Sequence, residues 1–189
     1  MPTTTMTTTS NALSALTLGT WNIDAAHSSV GFTARHLMIS KVHGRFTALT
    51  GAINVADVVT ESTVTASIDT TSVSTGDDTR DNHLRGADFF DVEQFPTIAF
   101  ASTAIRPSGD DYVLIGDLTI KGVTRPVELS LEFDGVNNDP WGNTRAGFSA
   151  STDINRKDWG LEFNVALETG GVLVGEKIKI SLDIQAVRA

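Results

Sequence analysis

From Ser28 the chain alternates. Val30, Phe32, Ala34 and His36 fall on one face and Ser29, Gly31, Thr33 and Arg35 on the other, the period of two of a half-buried strand. The pattern resumes through Phe46, Ala48, Ile53 and Val55, and again through Val64, Ala66 and Ile68. Ile98 and Phe100 open a strand that runs to about Ile105, and RPSGDD at 106–111 turns the chain. Tyr112, Leu114, Gly116, Leu118 and Ile120 then alternate with Val113, Ile115, Asp117 and Thr119. KGVTRP reverses direction, and Val127, Leu129, Leu131 and Phe133 alternate with Glu128, Ser130 and Glu132, which predicts the strongest hairpin of the sequence. DGVNNDPWGN at 134–143 reads as a loop by composition. Two further strands carry Ala146, Phe148, Ala150, Thr152 and Ile154, then Ile178, Ile180, Leu182 and Ile184, with NRKDWG between them.

About eight antiparallel strands with turns at short intervals predict a sandwich or a closed barrel. Closure removes edge strands, and a barrel of about eight strands is either filled by side chains or holds one small ligand. Ala34, Ala48, Ala66, Gly116, Ala146 and Ala150 fall on the proposed inward faces, where small side chains leave room for a cavity, although a tapering packed barrel uses the same mixture.

One stretch breaks the alternation. In TGDDTRDNHLRGADFFDVEQFPTIAF (75–100), Asp77, Asp78 and Asp81 suit a helix N-terminus, and Gly86 suits a left-handed C-terminal cap, so a short helix is predicted near 77–86 within a helical insertion reaching 90. Phe89, Phe90, Phe95 and Phe100 follow, and Pro96 marks the return to extended chain.

The composition narrows the function. The 189 residues suit one domain, expected at 19–189, preceded by a Thr-rich arm over 1–18 that is too weakly apolar to be strongly ordered, though Leu13, Leu16 and Leu18 suit the docking of one turn. No cysteine is present, which excludes thiolate chemistry and disulfides. The net charge of −9 repels nucleic acid and anionic lipid surfaces unless one face is locally basic, and no Lys/Arg cluster in the sequence makes such a face. There is no transmembrane-length apolar run, and the first residues lack the pattern of a secretory signal, so the expected location is cytoplasmic. His27, His36, His43 and His83 show no metal-ligand spacing, and no GxSxG, HExxH or phosphate loop is found, so neither a metal, a catalytic cofactor nor a catalytic residue is assigned.

WNIDAAHSSVGFTARHL, KVHGRF, RDNHLRGADFFDVEQFPTIAF, GDLTIKGVTRPVEL, RKDWGL and VGEKIKISLDIQA, in this order from about Trp21 to Ala186, resemble the YceI-like family of lipocalin-like polyisoprenoid-binding proteins. The resemblance implies a lipocalin-like up-and-down barrel around a long isoprenoid chain, bound for carriage, storage or sensing. It implies an isoprenoid or quinone lipid as partner and, since some members form dimers, a homodimer as well. Many members are periplasmic with a cleavable signal, a pattern absent here.

Aromatic and aliphatic walls suit a methyl-branched hydrocarbon. Phe32, Phe46, Phe100, Leu118, Ile120, Phe133 and Phe148 are the expected lining, with Phe89 and Phe90 closing or shaping one end and acting as its gate. His36 shares the face of Phe32 and offers a polar group at the mouth, Trp159 suits a lid, and Arg80 and Arg156 are head-group candidates because a guanidinium offers paired donors. Two alternatives remain at this stage: an enzyme using His36 and an acid on an isoprenoid-like substrate, and a structural module whose barrel is packed solid.

Overall fold

The computed structural model describes Leu13 and residues 16–189; the predicted arm therefore lies largely outside the described residues. The chain forms β1 (Gly19–Ile23), β2 (Ser29–His36), β3 (Ser40–Phe46), β4 (Leu49–Val55), β5 (Thr63–Asp69), β6 (Val73–Ser74), α1 (Asp78–Arg85), β7 (Thr97–Ser108), β8 (Asp111–Ile120), β9 (Val123–Asn138), β10 (Thr144–Asn155) and β11 (Lys177–Arg188). Strands β1-β4-β5-β7-β8-β9-β10-β11 follow one another in an antiparallel sheet, and β1 pairs back onto β11 to close a barrel of eight strands. Of the sandwich and the closed barrel that the alternation leaves open, the closed antiparallel barrel, which the family resemblance implies, is the one formed.

Its seam is forked. Ala186–Arg188 of β11 pair with β1, whereas Lys179–Asp183 pair with β2, and β3 and β6 continue outward from β2. This extra flank was not separable by periodicity, because its strands alternate like those of the barrel proper.

Several turns are shorter than composition suggested. β7 continues through Arg106 to Ser108, and only Gly109 (φ 61°) and Asp110 turn the chain. Strand β9 likewise begins at Val123, directly after Lys121 (φ 50°) and Gly122 (φ 75°), the paired positive φ angles that suit a two-residue hairpin turn. Asp134–Asn138 are strand rather than loop, and the turn beyond them is built by Asp139, whose carboxylate accepts from the Trp141 and Asn143 backbone N–H groups at 3.0 and 2.9 Å. Helix α1 lies where predicted, its N-cap Asp77 accepting from Arg80 N, but Gly86 is extended (φ −76°) and not left-handed. The left-handed residue falls later, at Asp91 (φ 49°), where the Gly86 carbonyl accepts from its N–H.

The register defines two ends. The first collects the start of β1, residues 56–62 and the turns at 109–110 and 139–143; the second collects the β2–β3 turn, the 121–122 turn, the α1 segment and the 156–176 connection. The absence of a Lys/Arg cluster in the sequence does not carry over to the surface. Arg35 lies directly opposite Lys41, and Lys179 opposite Thr33, whose other neighbour is His43, so residues distant in sequence form a basic strip near the second end.

At the first end Arg145 ties three elements together, donating to Asp24 Oδ2 at 2.7 Å, Gln185 Oε1 at 2.9 Å and Asp139 Oδ2 at 2.8 Å. The hydrogen bond from Arg145, and then that with His27, lowers the Asp24 pKa to about 2, and Arg145 followed by Asn143 holds Asp139 well below the usual carboxylate range. In the unfolded chain both carboxyls titrate near ~4. The folded state therefore binds fewer protons between those values, so the cluster's stabilisation is complete above pH ~4 and fades as pH falls toward ~2. Arg145→Met should lower Tm near pH ~7, with the gap to the parent shrinking between pH ~4 and ~2. Thermal unfolding by circular dichroism across that range checks this, and a gap independent of pH would assign the effect to lost packing instead.

Candidate functional site

The inward alternation meets an interior that it does not fill. Ile178, Ile180, Leu182 and Ile184 of β11 and Val64, Ala66 and Ile68 of β5 face the inside of the barrel, yet each is only half-buried. The space they leave is a cavity of about 280 Å³ along the barrel interior. Among the described residues of its wall, only Ser62, Thr152 and Arg156 carry a hydroxyl or a charge. At the first end Leu13 and Leu16, both buried, join Val55 and Val59 in the wall, while Leu18 is exposed. At the second end the wall is completed by Leu84, Phe89 and Phe90 from the α1 segment and by Trp159 and Leu161.

Most of the expected lining residues are brought together. Phe32 and Phe46 stand 5.7 Å apart by ring centroid, and Phe46 meets Phe90 edge-on at 5.5 Å, so one row of rings runs from the β2–β3 flank to the α1 segment. Phe100, Leu118, Ile120 and Phe148 lie on the same wall. Phe89 is held from outside by His83 and Phe163, at 5.1 and 5.2 Å, and His83 Nε2 shares a 2.8 Å hydrogen bond with Asp88 Oδ2. Trp159 is 3% exposed, and its Nε1–H donates to the Leu118 carbonyl at 2.9 Å, which fixes the indole across the second end.

Other candidates fall elsewhere. Phe133 packs on Phe148 at 5.5 Å but sits beyond the cavity wall, one alternation nearer the first end than Leu131. His36 ends β2, half-buried and bridged to Val174, also off the wall. Arg80 turns back onto Thr75, with Nε donating to Oγ1 at 2.7 Å and Nη2 to the carbonyl at 3.2 Å, so it braces the approach to α1.

Arg156 does reach the wall. It is 4% exposed, and its guanidinium donates to the carbonyls of Gly175, Leu161 and Val174 at 2.9, 2.6 and 3.3 Å. Burial pulls its pKa below the ordinary value, with the Glu176 charge opposing the shift, and an arginine remains charged nonetheless. The 156–176 connection also supplies Leu161 and Val174 to the wall; its start, NRKDWG, is the interruption that offers Arg156 and Trp159 as candidates, whereas Leu161 and Val174 carry no periodic signal. Leu84 was hidden in a strongly polar helix. No group of three or more His, Asp or Glu able to hold a metal ion occurs among the described residues.

The model of the YceI-like domain matches residues 21–186. The chain belongs to the YceI-like family. A UPF0312 protein of Staphylococcus aureus (strain MSSA476) is 40% identical over 162 residues, covering 84% of this chain and 92% of its own. The YCEI protein of Campylobacter jejuni superposes with a TM-score of 0.69 at 28% identity, over 82% of this chain and 90% of that one. A polyisoprenoid binding domain from Saccharophagus degradans, implicated in plant cell wall breakdown, shares the fold: TM-score 0.69, 18% identity, 92% of this chain and 100% of that chain.

Proposed function

We propose that this YceI-like protein binds a long isoprenoid lipid inside its barrel and performs no chemistry on it. The observation that carries the reading is the hollow, almost wholly apolar interior, in which aliphatic side chains facing inward remain half-buried. Filling it with a flexible branched hydrocarbon removes apolar surface on both partners from water, at about 25 cal/mol for each Å², less the cost of ordering the chain. The name of the Saccharophagus degradans neighbour accords with this choice of ligand.

The head group is expected at the second end, where Arg156 is the charged residue of the wall. Three of its five N–H donors go to the carbonyls described above, and the others suit one oxygen acceptor. A single cation suits the carbonyl or hydroxyl of a quinone- or polyprenol-type lipid better than a diphosphate, whose charges would need more partners when buried. Catalysis is disfavoured by spacing: a general acid and base must converge on one point, and His36 lies off the wall that carries Thr152 and Arg156.

Native mass spectrometry of the purified protein, followed by organic extraction, tests the reading. A stoichiometric prenyl species is expected. Ala150→Trp places an indole between Leu131 and Leu182 on the wall, and should reduce occupancy by about tenfold or more while the barrel stays folded. A protein that neither retains nor takes up prenyl lipid would overturn the proposal.

A further inference from the structure

The β2–β3 turn is built against the usual preferences. Leu37 (φ 53°) and Met38 (φ 63°) occupy the two left-handed positions of a tight hairpin, closed by Ile39 N–H donating to the His36 carbonyl at 3.1 Å. Such positions favour Asn-Gly, and a bulky residue there is strained. The strain gains no burial, since Leu37, Met38 and Ile39 are 38%, 52% and 80% exposed, and Val165 on the neighbouring connection is 48% exposed. The turn is nonetheless seated. Leu37 N–H donates to the Leu173 carbonyl at 2.9 Å, and Met38 lies against Gly171.

A basic strip flanks this apolar tip. Arg35, Lys41, Lys177 and Lys179 border a shallow depression beside Met38. The depression also holds Asp153 and Glu176, but each already has a cation, Lys177 at 3.1 Å and Lys157 at 2.7 Å. Arg35, Lys41 and Lys179 form no ion pair among the described residues, and Arg35 and Lys41 face each other across the strand pair, an arrangement that costs stability. Two unfavourable features, strained exposed apolar residues and the facing like charges of Arg35 and Lys41, thus occupy one surface of a chain whose net charge is −9, although Lys179 stands across the β10–β11 ladder from Asp153. Strain of this kind points from structure toward function.

We propose that the β2–β3 corner of the second end docks on an anionic lipid bilayer, with Leu37, Met38 and Ile39 inserted among the acyl chains and Arg35, Lys41 and Lys179 at the level of the head groups. Complementary charge selects the bilayer for this corner alone: the rest of the second end is acidic, with Asp77, Asp78, Asp88, Asp91 and Glu93 on the α1 segment and Glu162 and Glu168 on the 156–176 connection, and the exposed apolar residues of the first end have no basic strip beside them. Val58, Val136 and Trp141 are exposed there too, but among Asp57, Glu61, Asp110 and Asp111. Docking at this corner sets the connection that carries Leu161 and Val174, hence that side of the cavity wall, next to the membrane. The overall negative charge turns the rest of the molecule away from the surface and so orients it.

Flotation with vesicles of phosphatidylcholine alone, and with a third of it replaced by phosphatidylglycerol, tests the surface on the full chain. Binding is expected only to the anionic vesicles, weakening as salt rises. Leu37→Asn, Met38→Gly and Ile39→Thr together give the turn the residues it prefers, so the triple variant should match or exceed the parent in Tm yet bind about tenfold more weakly. Lys41→Glu with Lys179→Glu should lose the preference for anionic vesicles. Binding equal on both vesicle types, or unchanged in the triple variant, overturns the proposal. So does a dimer in sedimentation velocity that the triple variant abolishes, since a second copy would then own the patch. Native mass spectrometry on the same samples reports the cavity separately, so an empty barrel that floats and a filled barrel that does not are distinguishable.

Discussion

Replacing Arg156 with methionine is expected to destabilise the protein by about 2–5 kcal/mol, although methionine occupies much of the space of the arginine stem. The reason lies in what the guanidinium holds. Its carbonyl partners come from two stretches, Leu161 on one side and Val174 and Gly175 on the other, so one side chain staples both ends of the connection that roofs the second end of the cavity. Val174 keeps a donor in the variant, because Asn164 Nδ2 also reaches its carbonyl at 2.7 Å. Leu161 and Gly175 lose theirs in surroundings where a missing donor costs about 1–3 kcal/mol each. The connection has little regular structure to fall back on and should open locally before the barrel melts. Urea unfolding followed by hydrogen exchange over 161–176 reads both effects. Arg156→Lys, with three donors on a shorter reach, should recover only part of the loss. A penalty below ~1 kcal/mol with unchanged exchange would show that water replaces the guanidinium at no cost.

Seven of the barrel's eight strands were legible in the sequence because each has one apolar and one solvated face, and a period of two records that difference residue by residue; β1, only five residues long, was not read as a strand. What periodicity could not record is which neighbour a strand takes. The fork at β11, the flank of β2, β3 and β6, and the basic strip that this flank assembles depend on register between segments more than a hundred residues apart. Chain ends of the strands were underestimated for a related reason: Arg106, Pro107, Asp134 and Asn138 look like turn residues, yet all lie within strands that project past their neighbours at the first end. The small inward residues show the limit most clearly. Ala34, Ala66 and Ala150 do line the cavity, but Ala48 is exposed in the β3–β4 turn, and Ala146 is buried away from the wall. Site residues divided the same way: aromatic rings on alternating strands were found, while His36, Phe133 and Arg80 sit off the wall for reasons of strand length and local hydrogen bonding that no single strand pattern contains.

Gly116→Val is expected to cost about 1–3 kcal/mol and to lower lipid occupancy of the barrel, the reverse of what a small residue facing an empty space would tolerate. Gly116 looks like room, but the room is taken. A Cβ there would lie 2.4 Å from Phe100 Cζ and 2.7 Å from the Ala101 carbonyl oxygen, because the Phe100 ring lies across the glycine on the adjacent strand. Phe32 covers Gly44 in the same way, with a Cβ at 2.2 Å from its Cζ. Paving the wall with flat rings keeps these large side chains out of the middle of the barrel. A branched side chain at 116 must push the ring inward, into the volume proposed for the lipid, and strain the β7–β8 pairing at Ala101 besides. Gly116→Ala should show a milder form of both effects, and adding Phe100→Leu should restore most of the occupancy, with a coupling of about 0.5–3 kcal/mol in the double-mutant cycle. Urea unfolding and native mass spectrometry measure the two quantities on the same preparations. Additive single-variant penalties would mean that the backbone contact at Ala101, and not the ring, sets the cost, and that the hollow does not depend on where Phe100 lies.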